Sequence, residues 1–73
     1  MKITNEQYDE LANEYFCGSS KDFHKKLKEI TGIEAIPYTA YQYFYGDNFI
    51  GNSEDYSLRE LVKNANITVG EEE

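Results

Sequence analysis

Between residues 5 and 17, Tyr8, Leu11, Ala12, Tyr15 and Phe16 recur at the spacing that puts them on one face of a helix. Thr4 precedes this run as an N-cap, Gln7 stands three residues on as in a capping box, and Ile3 and Tyr8 occupy the places of a hydrophobic staple. The pattern predicts a helix over Asn5–Cys17 that stops at Gly18. A second helix is expected over Lys21–Thr31. Ser19 or Ser20 caps it, Phe23, Leu27 and Ile30 form a narrow apolar stripe, and Gly32 ends it. The short Gly-Ser-Ser connection predicts an antiparallel helix hairpin.

The period then changes. Ile36–Tyr45 is rich in strand formers, with Pro37 suited to the start of an edge strand. Gly46-Asp47-Asn48 reads as a turn, and Phe49-Ile50 as the start of a returning strand. Ser57-Leu58-Arg59-Glu60 is another capping box, and Leu58, Leu61, Val62 and Ala65 predict a third helix that Asn66 can end. Ile67-Thr68-Val69 reads as a last short strand before a solvated, flexible acidic tail at 70–73. The expected fold class is α+β in the order α-α-β-β-α-β, one domain over residues 1–73, with the helices packed on one face of a small sheet. Tyr8, Leu11, Tyr15, Phe23, Leu27, Ile30, Phe44, Leu58, Leu61 and Val62 are the expected core.

In the first strand Tyr41, Tyr43 and Tyr45 alternate and share one face, while Ile36, Tyr38, Ala40 and Phe44 share the other, interrupted by Gln42. The second set looks more like core. The three tyrosines are then expected to line an open face, suited either to a partner or to cross-strand packing at a half-solvated surface.

Size and charge narrow the functional classes. The chain has 73 residues, 40% of them hydrophobic, which is too apolar for a disordered segment despite a net charge of −7. A domain this short buries roughly 60% of its unfolded surface, so aromatic side chains carry much of the core. The acidic balance repels phosphate, which argues against direct binding to nucleic acid or to an anionic membrane, and it attracts a basic protein surface. Cys17 is the one cysteine, which excludes an internal disulfide and fits a reducing, cytoplasmic setting. Residues 1–6 carry no apolar run of the signal-peptide kind.

The charge is segregated along the chain. Lys2 against Glu6, Asp9, Glu10 and Glu14 leaves residues 1–19 at −3. Four lysines of the second helix bring residues 20–32 to +2, and residues 33–73 carry −6. Glu6, Glu10 and Glu14 repeat every fourth residue with Asp9 beside them, opposite the apolar face. Like charges so spaced destabilise a helix by ~0.2–0.5 kcal/mol per pair. Over about 12 Å of helix at ~1.5 Å per residue, four charges approach the spacing of phosphates along one DNA strand, ~3.4 Å. The stripe is therefore either an ordinary solvated face, partly neutralised by the lysines, or a surface for a basic groove.

The catalytic inventory is thin. His24, the sole histidine, reads as a polar position on the second helix, and Cys17 lies near a helix C-terminus, where a thiolate is not favoured. One cysteine and one histidine make no zinc site, Asp47-Asn48 makes no calcium loop, and no glycine-rich phosphate loop precedes a helix. No enzyme, cofactor or metal is expected. The leading expectation is a small acidic protein-binding module that blocks a basic, nucleic-acid-binding surface. By analogy of class alone, acidic proteins with which phages and mobile elements inhibit restriction or CRISPR machinery work in this general way. The alternative is an assembly module that pairs with its own copy, as a homodimer, or docks a partner through the tyrosine face. The candidate partner-binding residues are Glu6, Asp9, Glu10, Glu14, Tyr41, Tyr43, Tyr45, Glu54 and Asp55.

Overall fold

The structure, a computed structural model, describes residues 1–36 and 41–70. It is an α+β fold with, among the described residues, three helices and four short strands: β1 (Lys2–Ile3), α1 (Asn5–Cys17), α2 (Ser20–Thr31), β2 (Gln42–Tyr45), β3 (Asn48–Asn52), α3 (Leu58–Asn64) and β4 (Thr68–Val69). The expected order α-α-β-β-α-β is present. The expected continuation of the first strand back through Pro37, Tyr38, Thr39 and Ala40 lies outside the described residues, as does the tail at 71–73.

Each helix begins where its cap dictates. The Thr4 hydroxyl accepts from the Gln7 N–H at 3.0 Å while the Gln7 side chain accepts from the Thr4 N–H at 2.9 Å. Ser19 with Asp22 and Ser57 with Glu60 close the same reciprocal box at α2 and α3. Gly32 ends α2 in the left-handed conformation, and Asn66, φ 60°, follows α3 in the same region. α1 and α2 form the antiparallel hairpin. Tyr15 meets Phe23 across the short connection and Glu10 pairs with Lys26 further along, so sequence positions advance in opposite directions.

Among the described residues the strands make two ladders rather than the single sheet expected. β2 and β3 pair antiparallel through a two-residue turn. Gly46, φ 65°, holds its first position, where the twist of a hairpin demands positive φ. β1 and β4 pair parallel, with the Thr68 N–H donating to Met1 O and the Gly70 N–H to Ile3 O. The strand at Lys2–Ile3 is an addition to the expected order. Its two residues are too few to show an alternation, and its partner lies at the other end of the chain.

One cluster gathers buried side chains from most of the elements: Ile3, Leu11, Phe23, Leu27, Tyr43, Ile50, Leu58, Leu61, Val62, Ala65 and Ile67. Tyr8, Tyr15 and Ile30 are half-buried against it. Two expectations about faces fail. Phe16 is 72% exposed, because it sits at the margin of the apolar arc of α1 rather than inside it. On β2 the inward face carries Tyr43 and Tyr45, Tyr43 being only 5% exposed, while Phe44 is half-buried and Ile36 lies outside the strand and is 60% exposed.

A bulge accompanies this reversal. Tyr43 stands opposite Gly51 but Phe44 opposite Phe49, so Ile50 is an extra residue on β3. Ile50 then enters the core, and its carbonyl accepts from the Asn64 side chain at 2.8 Å. Phe44 and Phe49 meet edge to face on the outer side.

Candidate functional site

α1 displays Glu6, Asp9 and Glu10 to solvent, with Glu14 half-buried at the next turn. The helix positions them by period alone, since its opposite face is held by Leu11 in the core. The packing of α2 divides the row. Lys26 reaches across to Glu10 at 3.7 Å while pairing with Glu29 at 3.3 Å. Its ammonium is raised above the ordinary lysine pKa, first by the hydrogen bond to Glu29, then by the charge of Glu29, with smaller pulls from Glu10 and Glu14. A shallow groove of about 350 Å³ runs between the helices, lined by Asp9, Glu10, Asn13, Glu14 and Lys26. Among the described residues Glu10 is the one member of the row with a salt bridge. Such an exposed pair contributes little to stability.

The loop after β3 is built by Asn52. Its side-chain carbonyl accepts from the N–H groups of Glu54, at 2.9 Å, and Asp55, at 2.8 Å, and its amide donates to the Asp55 carboxylate at 3.2 Å. This turn leaves Glu54 and Asp55 exposed. Two hydrogen bonds fix the loop to its neighbours. The Tyr15 hydroxyl of α1 donates to Tyr56 O at 3.2 Å, and the Ser53 N–H donates to Tyr41 O at 3.1 Å. The loop acids therefore stand beside the exposed Tyr41, 66% accessible, and are tied to the last turns of α1.

The open three-tyrosine face is not formed. Tyr43 packs against Tyr15, Phe23 and His24 inside the molecule, and burial raises the pKa of its hydroxyl. Tyr45 is half-buried, with its hydroxyl 3.5 Å from the Met1 sulfur. Tyr41 alone of the three is exposed. The reason is the face reversal described above. Gln42, the polar residue that interrupts the apparently apolar set, was the signal in the sequence that this set looks outward.

His24 is the residue most misjudged by sequence. Expected only as a polar position on α2, it is 5% exposed. Its Nδ1 lies 2.7 Å from Ser20 O, and its Nε2 accepts the Phe44 N–H at 3.1 Å. Burial lowers its pKa below 6.5, opposed by the bond to Ser20. The imidazole thereby links α2 to β2.

Among the described residues no group of three or more His, Cys, Asp or Glu side chains is placed to hold a metal ion, and no helix is long and apolar enough to cross a membrane. Cys17 is exposed. No protein family, curated protein or solved structure matches this chain.

Proposed function

We propose that the protein is a non-catalytic binding module that occupies a basic, nucleic-acid-binding surface of another protein, in the manner of the small inhibitors used by phages and mobile elements, in a reducing compartment such as the cytoplasm. One observation carries this reading. Glu6, Asp9 and Glu10 line the exposed face of a capped helix, and among the described residues a single inter-helix salt bridge offsets them. A formed helix holds the charges in register, so that they bind without further ordering of the backbone. The exposed Glu54–Asp55 loop and Tyr41 offer a second contact surface, tyrosine supplying area with a polar tip.

The test changes Glu6→Gln, Asp9→Asn and Glu10→Gln together. Folding is expected to hold, because removal of like-charge repulsion offsets the loss of one exposed pair. The parent, immobilised at low salt, is expected to retain nucleic-acid-binding proteins from a lysate and to release them as salt rises. The triple variant is expected to lose that retention, and added nucleic acid is expected to compete with the parent for the retained protein. Equal retention by parent and variant would remove the acidic face as the interface.

The assembly reading moves to a different surface. Ile33, Ile36 and Phe49, respectively 40%, 60% and 49% exposed, gather near the Gly46 turn, where the Ile36 N–H donates to Gly46 O at 2.7 Å. If this patch joins two copies, sedimentation at micromolar concentration will give a dimer and Phe49→Lys will give monomers. A parent that stays monomeric at every concentration tested would end this reading.

A further inference from the structure

We propose that His24 is an acid-sensitive latch between α2 and the β2–β3 hairpin, closed by the neutral imidazole and opened by its protonation. The geometry dictates the tautomer. Ser20 O is an acceptor, so Nδ1, 2.7 Å away, carries the hydrogen and donates. Phe44 N–H is a donor, so Nε2, at 3.1 Å, must present a lone pair. A second proton can go only to Nε2. It would set one N–H against another, break the bond to Phe44 and leave a half-buried backbone donor unpaired.

The surroundings oppose the cation on balance. The ring is enclosed, stacked on Tyr43 at 5.5 Å and 29° and edge-on to Phe23 at 5.8 Å. The face of Tyr43 would welcome a positive charge, but that attraction acts on the same ring whose Nε2 bond is lost. From α2 itself Lys21, Lys25 and Lys28 border the cavity beside His24 and repel an imidazolium, whereas Asp22 of α2 and Glu34 beyond it attract one. From β2 the titratable neighbour is Tyr43, and from α1 Tyr15, which touches Tyr43, both neutral in this range. Burial is the largest influence and lowers the pKa of His24 below 6.5.

The sign follows from that lowering. The folded state holds the neutral ring more firmly than the unfolded chain does. The stabilisation is complete above 6.5, declines as the pH falls from there through the folded-state pKa, and is gone below it. Because α2 and β2 are the elements joined, the hairpin is the part released first, and release exposes the ring of Tyr43.

His24 is the sole histidine, so its ring resonances identify themselves. The experiment is an NMR titration of the full chain from about pH 8 to about pH 5, following the imidazole nitrogens and the Phe44 amide, with thermal melts of the parent and His24→Gln over the same range. Expected are an Nδ1–H tautomer at the upper end, a midpoint below 6.5, and a Phe44 amide that moves and exchanges faster with that midpoint, before the amides of α1. The melting temperature of the parent should fall with acid more than that of His24→Gln, which keeps every other titrating group and offers Phe44 a side-chain oxygen. An Nε2–H tautomer, a midpoint at or above 6.5, or a Phe44 amide indifferent to the titration would overturn the latch. These readings on the parent decide the matter even if the glutamine variant does not fold.

Discussion

Replacement of Gly51 by alanine is expected to lower the melting temperature by roughly 10 °C or more. Gly51 has φ 142°, a region that side chains rarely adopt, and it sits at the bulge opposite Tyr43. A methyl group there would lie 2.5 Å from Leu61 Cδ2 and 2.8 Å from Tyr56 Cγ. Leu61 is fully buried at the centre of the core, so it cannot yield without displacing others. Overpacking of this kind costs about 1–3 kcal/mol, and the backbone conformation costs a further ~1–3 kcal/mol. A chain of 73 residues has a total stability on the order of 4–11 kcal/mol. At ~4–8 °C per kcal/mol, the melting temperature should fall by at least ~10 °C. Gly46→Ala is the control. Its φ is 65° but its methyl would only touch Ile33 at 3.4 Å, so it bears the backbone cost without the clash. If circular-dichroism melts place Gly51→Ala level with Gly46→Ala, the close approach of β3 to α3 is wrong.

The helices and their limits were legible because the information for them is local. Thr4 with Gln7, Ser19 with Asp22 and Ser57 with Glu60 each lie three residues apart, and each closes its own box. Leu11, Phe23, Leu27, Leu58, Leu61 and Val62 followed from the helical period and are all buried. The acidic row on α1 was equally visible, since a helix period and a list of charges suffice to place it. What distance adds was not visible. Lys26 meets Glu10 only because the hairpin folds, and Ile3 becomes a strand residue only because Val69 comes beside it.

The misread face of β2 has a more specific cause. A strand alternates with period two, so one extra residue on its partner, or a wrong guess at where the strand begins, exchanges inside for outside. Ile36, which weighted the choice toward the Phe44 face, is not in the strand. His24 was misread for a related reason. A histidine on a lysine-rich helix looks solvated until a backbone N–H from β2, 20 positions away, is found against its Nε2.

The same reversal yields the sharpest contrast between two tyrosines that look alike in sequence. Tyr43→Lys is expected to be strongly destabilising and Tyr41→Lys nearly silent. Tyr43 is 5% exposed and its ring meets Tyr15 at 5.4 Å, Phe23 at 5.1 Å and His24 at 5.5 Å. Loss of a large aromatic side chain from such a site costs about 3–5 kcal/mol. The lysine adds an ammonium with no carboxylate in that aromatic cluster, which must either shed its proton or drag the strand toward water. Tyr41, at 66% exposed, has its ring in solvent and engages the loop through its backbone carbonyl, which the substitution preserves. Its change should fall within ~0.5 kcal/mol. Tyr43→Phe separates packing from the hydroxyl: it keeps the ring contacts, so its melt should stay close to the parent. Urea titration of the three variants measures all of this. A Tyr43→Lys protein with the midpoint of the parent would return Tyr43 to the surface, restore the open tyrosine face, and make that face a stronger candidate for a partner than the acidic side of α1.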